Sequence, residues 1–377
     1  MSIEIKQHQP GRDLKDFMQV PFDVYANDPV WVSPLNMQIR DRLTPEKNPF
    51  FEHAEIALFT AWKDGKAVGR ISAQIDHEHL RVHKDGAGFF GFFDTINDQE
   101  VATALVESAE KWLADRGMSL MRGPCSLSIN DEAGLMIEGF DQPPVIMSPH
   151  HRDYQGALAE GSGLLKVKDC YSWWYDVAEP TPEAQKAWEA IKALPEVRFR
   201  TVNRRKLETE VYDILEVYND AFRDNWGFVP ATDAEAKKMA ADLGPIANDL
   251  SFFAEIDGRP VGICICLPNL SEVTRDFDGK LSPVNMVKLV WRLKVREPKS
   301  GRLILLGIRT ELRHEKRYAP LAMAICAELT RRGREMGYEW ADLGWTHEDN
   351  HPVNIIIQRV GAKIYKRYRL YEKAIGG

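Results

Sequence analysis

The chain has 377 residues, 44% of them hydrophobic and 28% charged, the composition of a globular protein long enough for two or three cores. Its formal net charge of −7 argues against wholesale nucleic-acid binding by phosphate neutralisation. Cysteines are scattered and odd in number (Cys125, Cys170, Cys264, Cys266, Cys326), which argues against a disulfide framework and for a reducing compartment.

The opening MSIEIKQHQPGRD has no apolar run, and no stretch of about 18 apolar residues occurs, so the expectation is a cytoplasmic protein that does not span a membrane. A strand at Ile3–Ile5 leads into an amphipathic segment, the proline-punctuated DPVWVSPLNMQ, and a turn at Asn48-Pro49-Phe50-Phe51. EIALFTAWKDGKAVGRISAQID reads as two extended runs meeting at Asp64-Gly65, a hairpin signal. GFFGFF at Gly88–Phe93 predicts an apolar strand, and Val101, Leu105, Ala109, Trp112 and Leu113 recur at helical spacing up to a cap at Gly117. A strand over Leu120–Ile129 runs into Asn130-Asp131-Glu132. After Pro143-Pro144 come a helical piece, Tyr154–Glu160, and an aromatic strand, Leu165–Val177.

Pro180 and Pro182 mark a linker with a helix over Glu183–Leu194. A strand (Val197–Val202), the helical ETEVYDILEVYNDAF, the polar-aromatic RDNWGFVP and a second hairpin, Leu250–Leu267 turning at Asp257-Gly258, follow. Leu303–Tyr371 then reads strand, basic loop, amphipathic helix, strand, polar turn, short helix, strand. The two halves repeat one plan. Asp64-Gly65-Lys66-Ala67-Val68-Gly69 matches Asp257-Gly258-Arg259-Pro260-Val261-Gly262, and Arg116-Gly117-Met118 is echoed by Met336-Gly337-Tyr338. Asn130 and Asn350 each stand just beyond a strand.

With these residues in view, both halves resemble the GNAT superfamily of acyl-CoA-dependent N-acyltransferases, in tandem. The resemblance implies an α/β fold of two GNAT-like domains, each a mixed, mostly antiparallel sheet flanked by helices. The expected boundaries are 1–178, a linker helix at 179–196, and 197–377. In that family a strand leads into an Arg/Gln-x-x-Gly-x-Gly/Ala loop whose backbone N–H groups, with the positive end of the following helix, hold the cofactor pyrophosphate. Arg313-His314-Glu315-Lys316-Arg317-Tyr318-Ala319 occupies that place here. Both glycines are gone, and Lys316 and Arg317 offer side-chain charge instead. The family's next motif maps onto Asn350, Val353, Ile357, Gly361 and Ala362; Ile357 stands where many members have the tyrosine that protonates the leaving thiolate.

The N-terminal copy has no glycine-rich or basic loop in FFDTINDQEV, where Asp94 and Asp98 would repel phosphate, so it is expected to supply structure and part of an acceptor pocket. A narrower resemblance, carried by Asn48-Pro49-Phe50-Phe51, GPCSLSINDEAGLMIEGFDQPP, DNWGFVP and THEDNHPVN, is to bacterial tandem GNAT proteins, some of which look like bacterial ceramide synthases.

Aminolysis of a thioester needs a base for the ammonium proton, donors for the oxyanion, and positioning. Asp131 or Glu132 are candidate bases and Asn130 a polar anchor, against the alternative that these residues cap a helix. The resemblance assigns Arg313, Lys316, Arg317 and Asn350 to the cofactor. Asn225, Trp226 and Glu348 are candidates for the acceptor pocket; the alternative for Trp226 is a core plug. Cys264 and Cys266 alternate in an apolar strand and read as core. His150-His151 with Asp153, and His77-x-His79, lack a metal-ligand spacing and read as solvated surface histidines, so no metal is expected.

In NMVKLVWRLKVR (285–296), Met286, Leu289, Val290 and Leu293 share one helical face, Lys288, Arg292 and Arg296 the other, with Trp291 between. The expectation is a helix packed on the domain by its apolar face; the rival is a basic amphipathic helix lying on an anionic membrane. The expected activity is N-acyl transfer from acyl-CoA or acyl-carrier protein to an amine, with a long-chain sphingoid base as one candidate acceptor, no nucleic-acid partner, and peripheral membrane contact through 285–296 as a candidate. The alternatives are a non-catalytic GNAT-fold binding protein and an acetyltransferase of small polar amines.

Overall fold

The computed structural model describes residues 2–376, which form two compact units. The first takes in the chain to Cys170, residues 274–287 and the chain from Lys366; the second takes in 171–273 and 288–365. The early elements are β1 (Glu4–His8), α1 (Leu14–Val24), α2 (Asn36–Arg42), β2 (Ala54–Lys63), β3 (Lys66–Asp76), α3 (His77–His83), β4 (Ala87–Thr95), α4 (Gln99–Ala114) and β5 (Leu120–Gly123). Next come β6 (Cys125–Ser126), β7 (Glu132–Ala133), β8 (Leu135–Glu138), α5 (Gln155–Gly161) and β9 (Leu165–Asp176). They are followed by α6 (Pro182–Lys192), β10 (Val197–Thr201), α7 (Leu207–Phe222), α8 (Asp233–Leu243), β11 (Phe252–Ile256), β12 (Arg259–Pro268) and α9 (Leu270–Thr274). The last elements are α10 (Pro283–Trp291), β13 (Ser300–Ile308), α11 (Leu321–Glu335), β14 (Trp340–His347), α12 (His351–Arg359) and β15 (Lys363–Ala374).

Each unit builds the same mixed sheet. In the first, β1, β2, β3 and β4 pair antiparallel in that order, and α4 crosses to β5, which lies parallel to β4. In the second, β10, β11, β12 and β13 pair antiparallel, and α11 crosses to β14, parallel to β13. Both predicted hairpins close through two residues with positive φ, Asp64 (53°) and Gly65 (77°), and Asp257 (50°) and Gly258 (81°), the geometry that the strand twist requires. The repeated glycines also have a packing reason. A Cβ on Gly69 would lie 2.8 Å from Leu105 of α4, and one on Gly262 would lie 3.0 Å from Ile325 of α11. In both units the crossover helix therefore sits close upon the same point of the sheet. Phe90, Phe93, Leu105 and Met121 centre the first core, and Trp173, Phe252, Ile325 and Leu343 the second.

The units differ where the parallel pair ends. β4 and β5 pair from Ala87↔Leu120 to Phe89↔Arg122; past that point the main chain of Cys125 and Ser126 lies directly against β4. A Cβ on Gly91 would stand 2.1 Å from the Cys125 carbonyl oxygen, and one on Gly123 would stand 2.3 Å from that of Phe90. Gly91→Ala is accordingly expected to cost about 2 kcal/mol, because the obstructing atom is backbone and cannot rotate away; a urea midpoint equal to wild type would contradict this.

Several local expectations change. The strand predicted over Leu120–Ile129 stops at Gly123, since Pro124 cannot donate to a ladder. An unforeseen helix, α8, is started by a capping box between Thr232 and Glu235. α6 is part of the second unit: Ala184, Ala187 and Ile191 are buried, and Trp188 Nε1 donates to Glu328 of α11 at 2.9 Å. His79, His150 and His151 are buried, contrary to the solvated reading. His79 packs edge-on to Phe89 with Nε2 3.1 Å from Asp85, His150 Nε2 lies 2.8 Å from Asp28, and His151 Nδ1 accepts the Met136 N–H at 3.1 Å. Asp94 is buried in an ion pair with Arg70 (2.6 Å), and Asp98 caps α4. All five cysteines are free and buried.

Candidate functional site

In the second unit β13 and β14 pair only from Ser300↔Trp340 to Leu303↔Leu343. Beyond that point β13 runs on to Ile308 and β14 to His347, and among the described residues they do not pair with each other again. Local packing accounts for the parting. A Cβ on Gly344 would lie 2.9 Å from Ser172 Oγ, so β14 leans on β9, and Trp173 Nε1 donates to Thr346 Oγ1 at 2.9 Å. A Cβ on Gly307 would lie 2.8 Å from the Ala221 methyl, so β13 is held on α7. Ile304, Leu305 and Leu306 on one strand and Trp345 and Thr346 on the other are half-buried, although they sit mid-sheet. The result is a slot between two strands that no longer hydrogen-bond each other, open to an extended amide-bearing chain.

At the end of β14, His347 is buried between Trp345, stacked at 5.1 Å, and Trp226, edge-on at 5.6 Å. Trp226 itself is half-buried, as is Asn225. Asn354 fastens this end: its Oδ1 accepts from Thr346 Oγ1 at 2.6 Å, and its Nδ2 donates to the carbonyl oxygens of His347 (3.0 Å) and Glu348 (3.4 Å). Asn350 is the N-cap residue of α12, but its side chain does not make the capping bond.

The basic loop stands between β13 and α11. The Arg313 guanidinium donates to the Ala221 carbonyl oxygen at the C-terminal end of α7, where a cation is favoured. Asp220 beside it accepts from Thr310 N at 2.6 Å. Arg317 pairs with Glu196 at 2.5 Å, while Lys316 is exposed. Pro320, the N-cap residue of α11, makes no side-chain cap, which leaves the first-turn N–H groups without a side-chain acceptor. Of the cations predicted for a pyrophosphate, Lys316 is therefore the one without another fixed role, and the uncapped helix end adjoins it in sequence.

Asn130, Asp131 and Glu132 belong to the first unit. A strand and not a helix comes next, so helix capping is not their role; Asn130 and Asp131 turn into β7, which Glu132 begins. Arg42 of α2 organises the turn, with Nη1 3.2 Å from Glu132, Nη2 3.9 Å from Asp131, and a hydrogen bond of 2.8 Å to the Ser126 carbonyl oxygen. Burial disfavours the Arg42 charge, but Glu132 and Asp131 outweigh it and hold the guanidinium charged. The Asn130 N–H donates to Ser128 Oγ at 3.1 Å. Among the described residues no group of His, Cys, Asp and Glu could hold a metal ion.

Sequence reasoning missed Arg42, His347 and Asn354. Asn354 alone carried a local signal, as a polar residue inside the apolar stripe of PVNIIIQ. Arg42 and Glu132 are distant in the chain, and nothing local announces their pairing.

No family model matches the chain. It is 38% identical over 366 residues to the bacterial ceramide synthase of Caulobacter vibrioides, covering 96% of this chain and 95% of that protein. It is 37% identical over 366 residues to protein YghO of Escherichia coli, covering 96% and 93%. Among solved structures, a tandem GNAT protein from the clavulanic acid biosynthesis pathway superposes with a TM-score of 0.61 at 12% identity, covering 100% of this chain and 99% of that one. The GCN5-related glucosamine N-acetyltransferase region of a fungal multi-domain β-N-acetylglucosaminidase gives 0.60 at 14% identity; the match covers 99% of this chain and 38% of the fungal one. A slot between parted parallel strands, a basic loop before an uncapped helix, and full-length similarity agree: the chain has the tandem GNAT fold and belongs to the family of N-acyltransferases that includes the bacterial ceramide synthase.

Proposed function

We propose that the chain transfers a long acyl group from an acyl thioester, acyl-CoA or acyl-carrier protein, to the amine of a long-chain sphingoid base, giving a ceramide-type amide. The observation that carries this reading is the 38% identity, spread over 96% of the chain, to a protein named for that product. In the reaction the amine nitrogen attacks the thioester carbonyl, the C–N bond forms, the C–S bond breaks, and the thiolate leaves as the ammonium proton is lost. The slot between β13 and β14 suits the extended, amide-bearing arm of the donor. Lys316, with the first turn of α11, is the proposed partner of its phosphates, and Arg313, Arg317 and Asn350 frame that end. Asp131 or Glu132 is the proposed acceptor of the proton, Asn130 an anchor beside them, and Asn225, Trp226 and Glu348 contact the acceptor. The half-buried aliphatic run Ile304, Leu305 and Leu306 along the slot favours an apolar acyl chain.

The test is to mix purified protein with palmitoyl-CoA and a panel of amines and to follow free thiol. Release with sphinganine, and little with small polar amines, is expected. Release only with polar amines and acetyl-CoA would make the chain an acetyltransferase; neither release nor a thermal shift with CoA would make it a binding protein of another ligand. Lys316→Ala is expected to weaken CoA binding about tenfold, the loss of one charged contact to phosphate. Arg313→Ala is expected to weaken it less and to lower stability as well, because that guanidinium also holds α7. Unchanged affinity in Lys316→Ala, by calorimetry, would move the phosphate site elsewhere.

A further inference from the structure

The segment Lys280 to Arg296, KLSPVNMVKLVWRLKVR, contains no carboxylate, in a chain whose net charge is −7. It forms α10 and a π-helical turn over Arg292–Arg296, and neither element has a buried residue. The expected packing is reversed. Val284 is 64% exposed, Val287 70%, Val290 52%, Trp291 52% and Val295 65%. On a helix, Val284, Val287 and Trp291 share one stripe, with Val290 at its edge. Leu289 and Leu293 are only half-buried, and Arg292 turns inward to donate to the Val273 carbonyl oxygen at 2.6 Å. Lys294 and Arg296 remain exposed on the π-helical turn, and Lys280 is exposed just before α10.

We propose that this helix is a docking surface for an anionic lipid bilayer, with the valine stripe and Trp291 seated at the headgroup level and Lys280, Lys294 and Arg296 against lipid phosphates. Both halves of the surface point to that occupant. Exposed valines beside a Trp gain by leaving water, and an indole is favoured at a membrane interface. Each cation near an anionic surface raises partitioning about fivefold. A second copy docked through the same stripe would face one basic, carboxylate-free segment with another, and a nucleic acid would leave the valines in water. The surface stands on the exposure and charge of the helix, so its failure leaves the acyl-transfer reading in place.

The experiment is co-sedimentation of the full chain with vesicles of phosphatidylcholine alone and of phosphatidylcholine with an equal part of phosphatidylglycerol. The chain is expected to sediment with the mixed vesicles and far less with the neutral ones, and raised salt is expected to release it. The double variant Lys294→Glu, Arg296→Glu is expected to lose about 25-fold or more in partitioning. The double variant Val287→Ser, Trp291→Ser is expected to lose about tenfold or more, since both side chains are exposed and each gives up apolar contact. Both variants are expected to keep the wild-type thermal midpoint and thiol release with a detergent-dispersed amine. Wild-type protein that stays in the supernatant with mixed vesicles, or variants that sediment as wild type does, would overturn the proposal. So would a concentration-dependent dimer abolished by Val287→Ser, Trp291→Ser, which would assign the stripe to a second copy.

Discussion

Asp342→Ala is expected to lower the unfolding free energy by about 3–5 kcal/mol, seen as a lower urea midpoint, because it strands a buried charge. Asp342 is 0% exposed and Arg302 3%. One carboxylate oxygen lies 3.3 Å from Arg302 Nε, and the other accepts from Ser172 Oγ at 2.5 Å and from the Tyr365 hydroxyl at 2.7 Å. These donors come from β9, β13 and β15, so the carboxylate ties three strands to β14 within the second unit. Truncation leaves the guanidinium without its carboxylate and two hydroxyls without their acceptor. Replacing both charges, Arg302→Met with Asp342→Leu, is expected to cost less than Asp342→Ala alone, since no ion is then left unpaired. A double variant as unstable as the single one would show that the cost lies in packing and not in the unpaired charge. Asp342 immediately precedes Leu343, the last β14 residue paired to β13, so the pair also anchors the point from which the slot opens.

Between pH 7 and pH 4 the chain is expected to lose about 3 kcal/mol of stability through His151 alone. Burial pushes this imidazole down from its ordinary 6.5 to about 4; Asp94 opposes the shift, and His150 reinforces it. The hydrogen bond explains why relief is not local. Nδ1 accepts the Met136 N–H at 3.1 Å, so a proton there would face a donor. With the folded value below the unfolded one, the unfolded chain binds the proton first as pH falls. The contribution is therefore intact above pH 6.5 and disappears on descent through about pH 4. His151→Gln can still accept from Met136 but does not titrate, and its acid limb is expected to be shallower by about that amount. His150, also lowered by burial, acts in the same direction, so some slope remains in the variant. Identical acid limbs in urea titrations of both proteins would contradict the assignment.

Local signals carried most of the architecture. Asp-Gly turns, the all-apolar start of β4 and the period of α4 and α11 depend on neighbours in the chain, and the structure forms them where the pattern lies. The repeat was legible for the same reason, down to Gly69 and Gly262. Partners chosen across the chain were not. Arg313 and Arg317 read as cations free for phosphate, but Ala221 and Glu196, brought in by α7 and the approach to β10, engage them. His150 and His151 read as surface residues because nothing in their neighbourhood shows that Asp28 and Met136 will enclose them. The helix at 283–291 had a legible charge pattern, but a wheel cannot say which side meets the protein. The inward turn of Arg292 decided that.

The closure of the first unit at Gly91 has an evolutionary corollary. The duplicated strand pair is shut there by main-chain atoms, the Cys125 carbonyl against a residue that already lacks a side chain. No truncation can create space where there is only backbone. With Pro124 and Cys125 against β4, a slot in that unit would need a deletion or a rerouted loop rather than a single substitution. In the second unit no such main-chain contact fills the place among the described residues, and β13 and β14 part beyond Leu303 and Leu343.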